Sequence, residues 1–155
     1  MAPSPADPYL LREAETSDAA AIRALTREAY AKWVPVIGRE PLPMTADYER
    51  AVREHRFDLL FAAERLVALI ETDVRDDHVL IVNVAVAPDL QGQGLGRRML
   101  THAEALARIE NLREVRLYTN ARFEADIAIY RRLGYAVFRE ETLAHAVVVH
   151  MKKPA

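Results

Sequence analysis

The chain has 155 residues, 21 Lys plus Arg against 23 Asp plus Glu, and no cysteine. The length suits one domain with a real hydrophobic core, and the near-balance of charge leaves no basic surplus for nucleic acid or an anionic membrane surface. Without thiols, disulfides, thiolate nucleophiles and zinc–thiolate sites are excluded.

The opening MAPSPADPYL lacks the basic start and apolar run of a signal peptide, and no apolar run nears the roughly 18 residues of a membrane span. A soluble cytoplasmic protein is the expectation. Residues 1 to 8, with three prolines, read as a loose lead-in to a single domain spanning 1–155. Tyr9 to Ala14 reads as a short first strand. Thr16, Ser17 and Asp18 are helix-capping types, and Ile22, Leu25, Ala29 and Trp33 then follow a helical stripe. In VPVIGREPLPM, Pro35, Gly38, Pro41 and Pro43 stop that helix, and Thr45 and Asp47 open a second through about His55.

The pattern then changes to strands. FDLLFAAERLVALIETDV gives two apolar runs around Glu64 and Arg65, as in an antiparallel hairpin, and Val79 to Val86 is almost continuously apolar, as in a central strand covered on both faces. From Leu95, the spacing of Leu95, Met99, Ala103, Leu106 and Ala107 predicts an amphipathic helix. EVRLYTN reads as a strand, Ile127, Tyr130 and Leu133 mark a short helix ended by Gly134, and YAVF and HAVVVHM supply two closing strands. The whole predicts an α/β (α+β) fold: a mixed, mostly antiparallel sheet of about seven strands flanked by about four helices.

PDLQGQGLGRRML, residues 88 to 100, packs three glycines into five positions and runs straight into that amphipathic helix. Gly-x-Gly-x-x-Gly fails because position 97 is Arg97, and the Gly-Lys-Ser/Thr of a phosphate loop is missing. Two readings stand: a tight strand-to-helix turn, or a nest of backbone N–H groups at a helix N-terminus that receives an anion. Arg97 and Arg98 oppose the helix dipole unless a polyanion sits nearby.

These residues carry a resemblance. NVAVAPDLQGQGLGRRML resembles the acetyl-CoA-binding segment of the GCN5-related N-acetyltransferase (GNAT) superfamily, with Gln91, Gly94 and Gly96 at the motif's Gln, Gly and Gly. IAIYRRLGYAVF is similar to the family's later helix–turn–strand, with Tyr130 as the helical Tyr and Leu133-Gly134-Tyr135 as its signature. YTN and PMTADY resemble a bacterial subgroup. The resemblance implies an acetyl-CoA-dependent N-acetyltransferase that moves an acetyl group directly to a primary amine of a small molecule or peptide. The alternative is a non-catalytic acyl-CoA-binding or sensor module on the same fold. A homodimer is compatible with it.

Residue by residue, the resemblance implies that the backbone of Val84, Ala85 and Val86 pairs with the pantetheine arm. It also implies that the amides of Gln91, Gly92, Gln93, Gly94, Leu95, Gly96 and Arg97 hold the pyrophosphate. Tyr130 would then protonate the leaving sulfur. That transfer is uphill by about 2 kcal/mol between ordinary phenol and thiol pKa values, so either its pKa is lowered by arginine-rich surroundings or it chiefly donates a hydrogen bond. Asn120 would contact the cofactor, although the family's Asn position falls on Phe123. Asp126 stands where a small residue is common and reads as a helix cap. Trp33 and Tyr48, flanking the proline-rich loop, and Asn83, the lone polar residue of its strand, are candidates for the acceptor side. Glu71, Asp73, His78 and His145 remain as candidate bases, each more simply a solvated or structural side chain. His145 and His150 fall on opposite faces of one strand, so no metal site is expected.

Overall fold

Seven strands pair into one sheet in the computed structural model, which describes residues 7–155. Most of the lead-in expected over 1–8 lies outside the described residues. The strands are β1 Tyr9–Glu13, β2 Arg56–Ala62, β3 Arg65–Val74, β4 Val79–Val86, β5 Glu114–Asn120, β6 Ala136–Thr142 and β7 Val147–Pro154. They lie in the order β1-β2-β3-β4-β5-β7-β6. Every neighbouring pair is antiparallel except β4 and β5, which run parallel. A parallel pair needs a long crossover, and α5, Leu95–Ile109, supplies it.

The other helices are α1 Ala19–Tyr30, α4 Tyr48–Glu54 and α6 Glu124–Arg132, with single turns α2 Val34–Ile37 and α3 Leu42–Thr45. Pro35 does not stop a helix, contrary to the sequence expectation. It sits in the first turn of α2, where a missing N–H costs nothing, and Gly38 at φ 75° ends that turn instead. The apolar stripe likewise leaves α-helical geometry after Tyr30 and reaches Trp33 through a 3-10 turn. Asp47 caps α4 by accepting from the Arg50 backbone N–H at 3.1 Å.

β4 is covered on both faces, as its unbroken apolar run requires. On one face Met99, Leu100 and Ala103 of α5 pack with Val79, Ile81 and Val115. On the other, Ile22, Leu25 and Ala29 of α1 pack with Leu59, Leu69 and Ala85. The two faces swap parity along β4. Glu71 pairs with Asn83 while Thr72 pairs with Ile81, so Val82 is an extra, bulged residue. Before the bulge Val79 and Ile81 face α5; after it Val84 and Val86 do.

Leu69 is fully buried between β2, β4 and α1. Leu69→Ala should cost about 2–5 kcal/mol through lost burial and a residual cavity. In urea unfolding this appears as a lower midpoint at an unchanged slope.

Candidate functional site

The parallel pairing of β4 with β5 lasts only from Val79–Ile81 against Val115–Leu117. Both strands then continue, to Val86 and Asn120, without a ladder between them. A cleft of about 350 Å³ opens over this gap. Val84 and Val86 line it from β4, and Tyr30, Lys32 and Trp33 from the end of α1. Gly92, Gly94, Gly96 and Arg97 line it from the glycine turn, and Asp126, Ile129, Tyr130 and Arg132 from α6. Sequence elements far apart in the chain thus meet where one sheet contact fails.

The three glycines do different jobs. Gly92 and Gly94 have φ of 79° and 88°, in the left-handed region that side chains disfavour, and a Cβ on either would meet nothing within 4 Å. Backbone conformation requires glycine there. Gly96 has no such φ, lies in the first turn of α5, and a Cβ on it would sit 3.8 Å from a Val86 methyl, an ordinary contact. Neither conformation nor crowding explains Gly96; its position on the cleft wall does.

The turn also presents unused donors. The first intrahelical bond of α5 runs from Arg98 N–H to the Gly94 carbonyl at 3.0 Å. Among the described residues, the amides of Gly92 through Arg97 have no protein acceptor. The two arginines that follow divide. Arg98 forks onto Asp7 at 2.7 and 3.2 Å and lies over the Tyr9 ring, which accounts for it structurally. Arg97 lines the cleft, with no carboxylate partner among the described residues. Lys32 and Arg132 add positive charge to the same walls. Gln91 closes the corner, its Nε2 donating to the Val86 carbonyl at 3.1 Å while its Oε1 accepts from Lys32 Nζ at 3.0 Å.

Tyr130 faces the cleft from α6, edge-on to Tyr135 at 6.0 Å. Burial first, then the charges of Asp126 and Tyr135, push its phenol well above the ordinary tyrosine range. The arginines do not lower it, so the hydroxyl is held protonated and available as a donor. Asp126, one helical turn earlier, does not cap α6. It lines the cleft, and burial raises its pKa against a smaller opposing pull from Lys32.

Tyr30 is a cleft residue that the sequence reading passed over. Its hydroxyl donates to Asn83 Oδ1 at 2.9 Å, while Asn83 Nδ2 donates to Thr26 Oγ1 at 3.2 Å and to the Tyr48 hydroxyl at 3.3 Å. Tyr48 in turn donates to the Pro43 carbonyl at 2.6 Å. Asn83 and Tyr48 are 3% and 1% exposed. Two of the three candidates for the acceptor side, Asn83 and Tyr48, are therefore buried outside the cleft lining, in a network that ties α1, α4 and the proline-rich loop to β4. The signal was readable: Thr26 and Tyr30, four apart on α1, match the lone polar residue of β4, because a buried amide must find partners.

Trp33 does line the cleft, stacked on Phe123 with centroids 4.4 Å apart and planes within 16°. Phe123 occupies the family's Asn position and uses it to join α6 to the end of α1. Asn120 stands outside the cleft lining, its Oδ1 accepting from the Arg122 backbone N–H at 2.9 Å. Gln93 and Leu95 are also outside the lining, Leu95 as a core residue, and Ala85 packs toward α1. The candidate bases are occupied elsewhere. Glu71 is buried against His55 Nδ1 at 2.7 Å, Asp73 pairs with Arg75 at 2.8 Å, and His78 pairs with Asp77 at 2.6 Å. Like these three, His145 lies outside the cleft lining.

Comparison with known proteins places this geometry. The fold is shared with the PaiA N-acetyltransferase of Thermoplasma acidophilum, solved in complex with coenzyme A, at a TM-score of 0.81 and 18% identity, covering 95% of this chain and 99% of that one. It is shared also with the ribosomal-protein-S18-alanine N-acetyltransferase of Escherichia coli, at 0.77 and 22% identity, covering 94% and 93%. In sequence, a 78-residue stretch is 37% identical to the ribosomal protein bS18-alanine N-acetyltransferase of Salmonella typhimurium, covering 49% of this chain and 51% of that protein. The matched stretch spans about half the length of the curated relatives. Residues 20–135 match the family described as "Acetyltransferase (GNAT) family", and at three quarters of its length the chain belongs to that family.

Proposed function

We propose that the protein is an acetyl-CoA-dependent N-acetyltransferase acting on a primary amine. The observation that carries this reading is the gap between β4 and β5, which leads from unpaired strand backbone to a nest of free amides. Three features fit the cofactor: free N–H donors and the α5 dipole for the pyrophosphate, Arg97, Lys32 and Arg132 for its charge, and side-chain-free space at Gly96. When bound, acetyl-CoA supplies an activated acyl thioester.

The chain's own groups then do the following. Backbone of Val84 to Val86 lies along the gap, where an extended amide-bearing arm can pair with it as an added strand does. An N–H from that stretch would face the carbonyl oxygen of the bound thioester and would already be oriented when negative charge develops there. Tyr130, kept protonated by burial, would donate a hydrogen bond to the departing sulfur and give up its proton only as another replaces it, because its raised pKa disfavours a free tyrosinate. The relatives named for acting on a ribosomal protein's alanine make an α-amine the first acceptor to try. An α-amine with pKa near 8 lies only about 1.4 kcal/mol from its neutral form at pH 7, against roughly 4.6 for an alkyl amine.

The direct test is acetyl transfer to a panel of alanine-initiated peptides, free amino acids, polyamines and aminoglycosides, beside calorimetric titration with CoA. CoA binding with transfer to a panel amine supports the reading. CoA binding without transfer to any of them supports the sensor alternative, and neither result removes both.

Two substitutions sharpen this. Gly96→Ala should stabilise the free protein by up to about 1 kcal/mol, because glycine within a helix is costly, yet weaken CoA binding at least tenfold. Unchanged affinity would remove Gly96 from the proposed phosphate cradle. Tyr130→Phe should leave CoA affinity within about twofold while lowering kcat by about 10²- to 10⁴-fold. A single-turnover chemical step as fast as the parent's would rule out proton donation by Tyr130.

A further inference from the structure

Asp126 stands apart from the carboxylates that lie outside the cleft. Glu71, Asp73 and Asp77 each have a cationic or imidazole partner. Asp126 has no hydrogen bond or salt bridge among the described residues, does not cap its helix, and points into the cleft. A half-buried carboxylate without partners is costly to maintain, and the dipole of a helix first turn returns only about 0.3–1 kcal/mol. Such a group in a cleft is a functional candidate. Its position is informative. On α6 it is four residues before Tyr130 and so shares its face, about 6 Å along the axis. Tyr30 faces it from α1, and Lys32 from the turn that follows. β4 adds only Val84 and Val86 to the cleft, and Arg97 and Arg132 are its remaining charged residues. Among the described residues Asp126 is the one anion there.

Building on the acetyltransferase reading, we propose that Asp126 receives the acceptor as an ammonium ion and takes its proton. The ammonium gives one proton to the Asp126 carboxylate, which frees the nitrogen lone pair and leaves that proton on Asp126. The N–C bond then forms as the C–S bond breaks; sulfur keeps the bonding pair and takes the Tyr130 hydroxyl proton. As the Tyr130 proton leaves, the Asp126 carboxyl passes its own proton to the Tyr130 oxygen, takes the second surplus proton from nitrogen, and releases it to solvent when the products depart. Each turnover ends with N-acetyl product, free thiol, one proton released, and both side chains in their starting state. Burial, which raises the Asp126 pKa, makes the carboxylate a better base than a solvated aspartate.

The test compares the parent with Asp126→Asn and Asp126→Glu, using the panel amine with the highest rate. In the parent, kcat/KM for the acceptor should stay level between the Asp126 pKa and the amine's own pKa. In Asp126→Asn it should instead rise tenfold per pH unit up to the amine's pKa, from a deficit of about 10²- to 10⁴-fold at neutral pH. Asp126→Glu should recover part of the level region. Independently of activity, carboxyl NMR of the labelled protein should show Asp126 titrating above the ordinary aspartate range, and calorimetry should give all three proteins the same CoA affinity. Parallel pH profiles, an ordinary or lowered Asp126 midpoint, or a defect confined to CoA affinity would each overturn the proposal. A parent that fails to bind CoA at all defeats the acetyltransferase reading itself, and this inference falls with it.

Discussion

The site depends on a sheet contact that stops early. After three paired residues β4 and β5 part, leaving backbone hydrogen-bonding groups of the sheet's central strand without strand partners. Unpaired backbone in a protein interior costs on the order of 1–3 kcal/mol per group if nothing satisfies it. A continuous parallel ladder would remove that cost and would also remove the cleft. The bulge at Val82 belongs to the same constraint. It reverses the parity of β4, turning Val84 and Val86 to the α5 face and the glycine turn, and Asn83 to the α1 face.

Holding two strands apart requires support from above and below. Outside the cleft lining, Asn83 spends its whole amide on Tyr30, Thr26 and Tyr48, so the open half of β4 is fixed to α1 and α4 by a satisfied polar network. Across the mouth, the Trp33–Phe123 stack links the end of α1 to the start of α6. At the glycine end, Gln91 bridges the Val86 carbonyl and Lys32. These contacts position Tyr130 and Asp126 over the gap, although neither forms a hydrogen bond to the strands.

Much of the fold was legible because periodicity and punctuation agree. The β2–β3 hairpin, the apolar β4, the amphipathic α5 and the capped α4 each follow from local pattern, and the glycine turn announced itself by its cost. Less legible were features set by tertiary geometry. Pro35 signalled a stop yet starts a helical turn, because proline is tolerated in a first turn and the real terminator is Gly38. Asn83 carried the right signal, a polar group needing partners, and the partners proved to be Tyr30, Thr26 and Tyr48. Asp126 looked like a cap because acidic residues suit a helix first turn; only the packed cleft shows that its carboxylate faces Tyr30 and Tyr130 instead. The left-handed φ at Gly92 and Gly94, which separates their role from that of Gly96, has no counterpart in a string of letters.

The central claim is that the β4–β5 gap and the amides beside it are the donor site. Residue-resolved amide hydrogen exchange, with and without CoA, tests it most directly. The account predicts that CoA slows exchange at amides within Val84 to Val86 and Gly92 to Arg97, while the fully paired centre of β3 stays unchanged. Protection elsewhere with these amides unaffected, in a protein that binds CoA, would contradict it.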